Sequence, residues 1–211
     1  MYPSRAFLET DLAALDALVA RDNLATLVTV HGGAPVTSHL PLLYRRDGDQ
    51  VELRGHWSRA NPQSRHAGRA LAIIHGPHAY VSPSWYPDKE EAARVPTWNY
   101  VIANLHGELT LFDDEPGLAS VVDDLTRQQE ARVGGDWRYQ HERDDHRNQL
   151  RGIIGFRMAI DSIELKFKLN QNHPVANRAA VIAALSTQQR ESSREVAALM
   201  RERLANDATG D

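Results

Sequence analysis

The stretch of residues 75–100, HGPHAYVSPSWYPDKEEAARVPTWNY, constrains the fold most, because it concentrates large aromatic rings between prolines. It holds two of the four tryptophans and three of the six tyrosines. Covering one large ring stabilises a protein by about 2 kcal/mol, so these rings are expected to be covered. Prolines at positions 77, 83, 87 and 96 remove amide donors, which predicts an irregular, shaped loop rather than a helix or a regular strand.

Two interpretations of this stretch remain open from the residues alone. In the first, the loop folds over its own hydrophobic core. In the second, its rings and the small polar side chains between them form a pocket for a planar ligand with polar edges. The interleaved polar residues are Ser82, Ser84, Thr97 and Asn99.

The composition limits the class of protein. With 211 residues, of which 42% are hydrophobic, the chain can bury one core with a small helical appendage. It lacks an apolar run of the roughly 20 residues that a membrane helix needs, and it lacks signal-peptide features, so we expect a cytoplasmic protein without a membrane span. The absence of cysteine excludes thiol catalysis, and a net charge of -4 argues against nucleic-acid binding driven by electrostatics.

Apolar runs of strand-like pattern predict an antiparallel sheet. Two β-rich runs, residues 23–30 and 34–44, flank His31-Gly32-Gly33 and predict a hairpin. Residues 51–57 follow a turn at Gly48 and predict a third strand. Residues 69–76 are apolar at successive positions, which predicts a strand buried on both faces, whereas residues 101–111 alternate and predict a half-buried strand.

Helical patterns surround these strands. Apolar spacing predicts a first helix over residues 9–21, and Asp114 is predicted to cap a second over residues 115–132. The parity of the apolar positions changes at Asp161-Ser162, which predicts a bulge or bend. Pro174 predicts the first turn of a further helix, and Ser192-Ser193-Arg194-Glu195 predicts a capping box for the last one. This order of elements predicts an α+β fold built on an antiparallel barrel, with flanking helices and a helical C-terminal tail.

Residues 58–62 predict an anion site at the end of the third strand. Asn61 is a natural helix cap and Pro62 a natural first helical residue, so free amides would lie beside Ser58 and Arg59. An arginine fork, a hydroxyl group and amides at one point suit a phosphate group. The alternative is an ordinary capped turn with a solvated arginine.

The ten histidines do not predict a metal site. His141 and His146 miss the spacing of a helical zinc-ligand pair by one residue, and His75 and His78 flank a turn that does not fix ligand geometry. The sequence also lacks the glycine-rich loops that bind nucleotide phosphates and the serine elbow of hydrolases. We therefore predict no metal, and no nucleotide binding through those motifs.

Five motifs follow one another along the chain: HLPLLY, GHWSRANPQ, GPHAYVSPSWY, VPTWNYV and KLNQN, the last followed by NRAAVIAAL. In this order they resemble the FMN-binding negative transcriptional regulators of the PaiB type, and the resemblance covers nearly the whole chain. It implies an FMN-binding split β-barrel of residues 1–172, including the N-terminal helix, with residues 173–211 as a helical tail packed on the barrel. It also implies a homodimer with FMN at the subunit interface.

The resemblance further implies which residues bind FMN. Ser58 and Arg59 would hold the phosphate beside the capping Asn61, in agreement with the predicted anion site, while His39 and Pro41 would line the isoalloxazine edge. The residues that would close over the ring or the ribityl chain are Ser82, Trp85, Tyr86, Thr97, Trp98 and Asn99, and those of the KLxQN motif are Lys168, Gln171 and Asn172. Relatives often carry a bulkier or histidine-containing stretch at Ile102-Ala103-Asn104, which weakens the case for polar contacts from that strand.

The function that these features predict has two forms. The family name implies a flavin-dependent negative regulator of transcription, acting on DNA or on another protein, but the sequence has no helix-turn-helix signature and its first helix is acidic. The last helix mixes arginines with glutamates, as solvent-exposed or packed helices do. The alternative is an FMN-dependent oxidoreductase with a nicotinamide donor, in which the flavin carries the redox chemistry. No catalytic residue is assigned, and His39, His56 and Tyr80 are the candidate proton donors.

Overall fold

Strands and helices account for most of the computed structural model, which describes residues 5–209 and their side chains as far as residue 207. The five α-helices in this part of the chain are α1 (Leu12–Arg21), α2 (Glu115–Val133), α3 (Asp144–Gln149), α4 (Val175–Ser186) and α5 (Glu191–Thr209). The eight strands are β1 (Leu8–Glu9), β2 (Leu24–His31), β3 (Ala34–Pro41), β4 (Leu43–Asp47), β5 (Gln50–Ser58), β6 (Gly68–Val81), β7 (Thr97–Phe112) and β8 (Ile153–Lys168). Short 3₁₀ turns cover Arg5–Phe7, Pro62–Arg65, Pro83–Trp85 and Leu150–Gly152.

All eight strands belong to one antiparallel sheet. Its order is β3-β2-β6-β7-β8-β5-β4, and β1 pairs with β8 off this path. Among the described residues the edge strands β3 and β4 do not pair with each other, so the hydrogen-bonded sheet is open. The α+β class and the antiparallel sheet are confirmed, whereas closure of the strands into a barrel is not seen in this pairing.

The predicted hairpin forms from β2 and β3. Its two-residue turn is Gly32-Gly33, with φ of +57° and +81°, and it closes on the pair His31 and Ala34. A turn with both central residues at positive φ matches the twist of the flanking strands, and glycine reaches that region without a steric penalty.

The run of residues 34–44, predicted as one strand, is divided at Leu42 into β3 and β4. The backbone N–H of Leu42 donates to the carbonyl of Asn23, and its carbonyl accepts from Asn23 Nδ2, both at 2.9 Å. Leu42 is fully buried, and both of its backbone groups are satisfied outside the sheet. The chain therefore leaves its pairing with β2 at this corner and pairs with β5 instead.

Asn23 ties this corner to α2. Its side chain is 3% exposed, and its Oδ1 accepts hydrogen bonds from Gln129 Nε2 at 2.9 Å and from Arg132 at 3.3 Å. Its Nδ2 also lies 3.2 Å from the side-chain oxygen of Gln128. A buried amide is stable only with its partners in place, so Asn23 fixes the position of the helix against the corner.

The first helix begins later than predicted, at Leu12 rather than at residue 9. Residues 8–9 instead form β1, in which Leu8 pairs with Lys166. Glu9 Oε1 accepts the backbone N–H groups of Thr10 and Asp11, which turns the chain before the helix can start. From Leu12 onward the predicted amphipathic helix is confirmed, because α1 buries Leu15, Leu18 and Val19.

The prediction of an irregular loop over residues 75–100 is wrong at both ends. Strand β6 continues to Val81 and β7 begins at Thr97, so only residues 82–96 lie between the strands. Gly76 and Pro77 are both buried, so the side of the sheet that is buried changes there. Proline is tolerated in a strand at such a bulge, because the ladder of hydrogen bonds is already interrupted.

Two further strand predictions have different outcomes. Residues 69–76 are not buried on both faces, since Leu71 and Ile73 are partly exposed, and this prediction is wrong. In β8 the predicted change of parity is present: Phe156 and Met158 are buried before Asp161-Ser162, and Leu165 and Phe167 after it. The strand nevertheless continues through this point from Ile153 to Lys168. The predicted alternation in β7 is also confirmed.

The helix ends show where local patterns suffice. Asp114 caps α2 as predicted, and its side chain accepts the N–H of Gly117 at 2.8 Å. The predicted capping box at Ser192 is wrong, because α5 already begins at Glu191 and the hydroxyl of Ser192 bonds to the backbone of His78. Pro174 lies at the cap position of α4, one residue before the helix starts.

No α-helix within residues 5–209 has both the length and the apolarity that crossing a bilayer requires.

The chain divides into two compact units, neither of them a single stretch of sequence. The hairpin unit consists of Leu12–Ile74 and Asn104–Ile163. The terminal unit consists of His75–Ala103 together with the described parts of Met1–Asp11 and Glu164–Asp211. Strands β6, β7 and β8 each contribute residues to both units. The predicted domain boundary at residues 172–173 stays a prediction.

Candidate functional site

The predicted anion site lies in the hairpin unit, at the end of β5. Asn61 caps the 3₁₀ turn Pro62–Arg65, as predicted, and its Oδ1 accepts the N–H of Gln63 at 2.9 Å. Ser58 and Arg59 are exposed, and the hydroxyl of Ser58 accepts the N–H of Ala60 at 3.3 Å. The residues from Ser58 to Asn61 therefore form a tight, exposed turn.

Arg59 is more constrained than a solvated arginine. Its Nε donates to the carbonyl of Arg151 at 3.0 Å, and one terminal nitrogen donates to the carbonyl of Ile153 at 3.2 Å. Its other terminal nitrogen lies 3.7 Å from a carboxylate oxygen of Asp113, and 47% of the side chain stays exposed. The guanidinium group is thus held in one place while part of it still faces solvent.

Gln63 and Asn61 connect this turn to the hairpin. The Nε2 of Gln63 lies within hydrogen-bond distance of the carbonyls of Leu27 at 3.1 Å and Val36 at 3.0 Å. Asn61 Nδ2 donates to the hydroxyl of Ser38 at 2.9 Å. The strand that carries His39 and Pro41, both exposed, is therefore fixed beside the predicted anion site.

Two of the candidate proton donors, His39 and His56, differ in their surroundings. His39 is exposed, and its Nδ1 lies 3.0 Å from the hydroxyl of Thr26. The Nδ1 of His56 is buried without a hydrogen-bond partner in the described residues, and burial lowers the pKa of this imidazole. At neutral pH His56 is therefore held in its uncharged form.

In the terminal unit, the aromatic loop is anchored through Tyr86. This residue is 1% exposed, and its hydroxyl accepts a hydrogen bond from Asn170 Nδ2 at 2.8 Å. Its ring stacks on that of His173, with the planes 2° apart and the centroids at 5.0 Å. Burial raises the pKa of the Tyr86 phenol and lowers that of the His173 imidazole, so both rings stay uncharged at neutral pH.

An ion pair closes the same loop from the other side. Arg94 donates to both carboxylate oxygens of Asp88, at 3.0 and 2.5 Å, and its guanidinium carbon lies 5.9 Å from the centre of the Tyr86 ring. Asp88 also accepts from Asn177 Nδ2 at 2.7 Å. The hydrogen bonds from Arg94 hold the pKa of Asp88 at about 2. The loop is therefore fastened to α4 by a charge that persists at physiological pH.

The KLNQN motif forms the turn after β8. Lys168 Nζ donates to the hydroxyl of Thr97 at 2.5 Å and lies 6.0 Å from the centre of the Tyr100 ring. Burial lowers the pKa of this lysine, and the charge of Lys166 lowers it further. Gln171 closes the strand end, since its side chain accepts from the N–H of Leu169 and donates to the carbonyl of Phe167. Asn172 is exposed.

The remaining predicted residues differ in accessibility. Trp98 is 47% exposed, whereas Ser82, Trp85 and Thr97 are half-buried. Asn99 is fully buried, with Nδ2 at 3.3 Å from the sulfur of Met200 and no partner for Oδ1 among the described residues. The Tyr86 ring therefore belongs to the core, as the first interpretation of the aromatic stretch predicts, whereas the Trp98 ring faces outward and the ligand-pocket interpretation stays a prediction.

The residues that sequence reasoning missed are the polar anchors of the loop: Asn170, His173, Arg94, Asp88 and Asn177. Asn170 is 2% exposed and has a φ of +62°, a region that asparagine tolerates better than other residues with side chains. An asparagine two residues after the end of a strand was the available signal. Asn177 gave none, because its partner Asp88 is 89 residues away. Arg94 gave none although Asp88 is only six residues away, since nothing in an irregular loop fixes that pairing.

The predicted site residues thus fall into two groups, one in each unit. His39, Pro41, Ser58, Arg59 and Asn61 belong to the hairpin unit, and those from Ser82 to Asn172 belong to the terminal unit. In the hairpin unit the structure brings Asn61 to the strand of His39. In the terminal unit it joins Thr97 directly to Lys168.

Solved structures with a similar fold include two that are named for flavins or flavocytochromes. The FAD and heme binding protein from Mycobacterium smegmatis matches with a TM-score of 0.58 and 21% identity, over 82% of this chain and 78% of that one. A flavocytochrome from Azotobacter vinelandii matches with a TM-score of 0.52 and 16% identity, over 75% of this chain and 68% of that one. At these identities the likeness concerns the fold.

Sequence comparison is more specific. The protease synthase and sporulation protein PAI 2 of Bacillus subtilis is 28% identical over an alignment of 218 positions, gaps included, which covers 97% of this chain and 98% of that protein. The family model described as "Putative FMN-binding domain" matches residues 1–162. The chain therefore belongs to this FMN-binding domain family, as its PaiB-type motifs predicted, and its cofactor is a flavin.

Proposed function

We propose that this protein is an FMN-dependent redox protein in which Ser58, Arg59 and Asn61 bind the phosphate of FMN. The observation that carries the proposal is Arg59, whose guanidinium group is held by two carbonyls while part of it stays exposed. A cation that is already fixed loses little conformational freedom when an anion binds. Arginine also suits phosphate geometrically, because it can donate two parallel hydrogen bonds.

The residues present fit FMN in the hairpin unit. The exposed hydroxyl of Ser58 and the N–H groups of Arg59 not used for the two carbonyls are donors of the kind that a phosphate accepts from. Two residues before Ser58, the buried Nδ1 of His56 lacks a partner in the described part of the chain, and a bound ligand or water can satisfy it. His39 and Pro41 are proposed to contact the edge of the ring.

In the terminal unit, the accessible side chains are proposed as the ring and ribityl contacts. These are Ser82, Trp85, Thr97, Trp98, Lys168, Gln171 and Asn172. Tyr86 and Asn99 are buried, so we assign them a supporting role in which they hold the loop that carries Trp85 and the strand that carries Trp98. When bound, FMN supplies the redox chemistry, while a cation such as Lys168 influences which redox state is favoured.

We further propose that the sheet is a split barrel that acts as a homodimer with FMN at the interface. The outward face of the β2-β6 pair supports this, because Val28 and Leu71 are paired there and only partly covered. Val30 and Leu24 extend the apolar surface, at 67% and 53% exposed. Such surfaces commonly mark contacts between subunits. Sedimentation is expected to show a dimer, and a monomer that still binds FMN would contradict the interface position of the cofactor.

The contacts made by the arginines of α5 favour a role as an oxidoreductase over direct DNA binding. Each of them contacts its own chain: Arg194 the carbonyls of Gln188 and Gln189, Arg201 the hydroxyl of Ser186, and Arg203 the carboxylate of Glu9. These side chains are therefore less available for DNA phosphates, in a chain whose net charge is -4.

The test is anaerobic addition of NADH or NADPH to the FMN-loaded protein. We expect the absorption band of oxidised flavin to disappear faster than for free FMN at the same concentration, because the protein positions the ring for hydride transfer. A rate equal to that of free FMN would contradict the oxidoreductase role.

The second candidate function, a transcriptional regulator, rests on the resemblance of the five sequence motifs to the PaiB-type negative regulators. It is tested by duplex binding at two salt concentrations, with and without FMN. We expect weak binding without sequence preference and with little salt dependence, since few phosphates can be neutralised. Tight, sequence-selective binding to promoter DNA would instead establish the regulator. A cytoplasmic location stays a prediction in either case.

A further inference from the structure

Three aromatic rings lie on the surface of the terminal unit, at the ends of β6 and β7. Trp98 and Tyr80 are 47% and 45% exposed, and their rings meet edge to face with centroids 6.0 Å apart. The ring of His78, two residues before Tyr80 and on the same side of β6, lies 6.1 Å from Trp98. Large rings are seldom left this exposed next to one another without a ligand or partner.

A cation stands at one end of these rings. A terminal nitrogen of Arg190 lies 3.4 Å from Nε2 of His78. No carboxylate of the described residues forms an ion pair with Arg190. This guanidinium group therefore keeps hydrogen-bond donors for an anion in an acidic protein, beside aromatic faces on which a flat molecule can stack.

The backbone beneath the rings is held in place. The hydroxyl of Ser192 accepts the N–H of His78 and donates to its carbonyl, both at 2.8 Å. These two hydrogen bonds to one residue fix the strand to the start of α5, and the same segment positions Arg190. The rings and the cation are therefore arranged before any ligand arrives, which lowers the entropic cost of binding.

We propose that His78, Tyr80, Trp98 and Arg190 form a binding site for a planar aromatic anion, the ring stacking on Tyr80 and packing against Trp98 and its negative group pairing with Arg190. The role of this site rests on the proposed function for one point: the anion would belong to the class of substrate on which the flavin protein acts. Binding of the anion itself does not depend on that role. Trp98 belongs to both sets of residues, so the flavin and the aromatic anion would be neighbours.

The experiment compares naphthoate with naphthamide, two probes of nearly the same shape that differ in charge. Each is titrated by calorimetry into protein saturated with FMN. We expect naphthoate to bind about threefold to tenfold more tightly than naphthamide, and Arg190→Gln to abolish that difference. Tyr80→Leu is expected to weaken both probes by about tenfold, the effect of one stacked ring. Trp137→Leu removes an exposed tryptophan of the hairpin unit, and it should change neither probe.

Several results would overturn the proposal. Equal binding of the two probes, or naphthoate binding that survives both Arg190→Gln and Tyr80→Leu, would mean that these residues form no site. Naphthoate binding that is present without FMN and lost at saturating FMN would place the flavin itself on this surface. A separate FMN titration of the same protein distinguishes these results from failure of the proposed function, which would appear as absent flavin binding whatever the probes do.

Discussion

Replacing Arg59 by alanine is expected to weaken FMN binding by at least about tenfold, while riboflavin binding changes by less than about twofold. The two flavins differ only in the phosphate, which is the group that Arg59 is proposed to hold. A charged hydrogen bond to phosphate is worth more than a neutral one, and the alanine variant removes both the charge and the fork. The measurement is quenching of flavin fluorescence during titration with the protein.

Arg65 provides the matched control, because it is an exposed arginine in the neighbouring 3₁₀ turn. Arg65→Ala should leave both affinities unchanged if the effect depends on position rather than on net charge. Arg59 also donates to the carbonyls of Arg151 and Ile153, so its loss can loosen the turn. Equal weakening of FMN and riboflavin would show that this structural contact is its whole role.

Gly107→Ala is expected to reduce the free energy of unfolding by more than about 3 kcal/mol, or to prevent folding. A methyl group at this buried position of β7 would overlap the backbone carbonyl of Ala159 in β8. Backbone cannot move aside as a flexible side chain can, so the two strands would have to separate. Urea unfolding followed by circular dichroism measures the loss.

Gly152→Ala serves as the control for this effect. A methyl group at Gly152 would meet no heavy atom within 4 Å, and the residue does not have a positive φ. The change should therefore stay within about 0.5 kcal/mol of the unchanged protein. Similar losses for the two variants would mean that glycine is needed at Gly107 for some reason other than close packing of the strands.

The parts of the fold that could be predicted are those encoded by residues close together in sequence. The turn at Gly32-Gly33 needs only two glycines between β-rich runs, and the cap at Asp114 needs only the first turn of its own helix. The alternation of β7 is likewise visible in the sequence. These features depend little on where the rest of the chain goes.

Predictions failed where a distant partner decided the structure. Ser192 matches a capping box, but its hydroxyl bonds to His78, 114 residues away, and α5 starts earlier. Leu42 lies in an apolar run that reads as one strand. Its carbonyl nevertheless accepts from the side chain of Asn23 and its N–H donates to the backbone carbonyl of Asn23, which ends the strand. A pattern within one segment contains no information about such contacts.

In the candidate site, some features were predictable from the local sequence and others depend on a distant partner. The tight turn from Ser58 to Asn61 was predictable, because a cap and a proline mark it, whereas the carbonyls that hold Arg59 come from residues 151–153 and were not. The burial of Asn99 was predictable in principle. It is in phase with Val101 and Ala103 on the buried side of β7, so the same alternation that revealed the strand also placed this side chain inside.

The terminal unit is assembled from segments that are far apart in sequence, which sets the order in which the two units can fold during synthesis. The unit combines residues near the start of the chain with the last helix, and Arg203 pairs with Glu9 across that separation. It also buries Val196 and Met200 of α5. The ribosome makes α5 after every residue of the hairpin unit, which is complete at residue 163. The core of the terminal unit therefore cannot be completed until α5 has been made. We therefore expect the growing chain to form the hairpin unit first, with its aromatic loop still unanchored until α4 and α5 emerge.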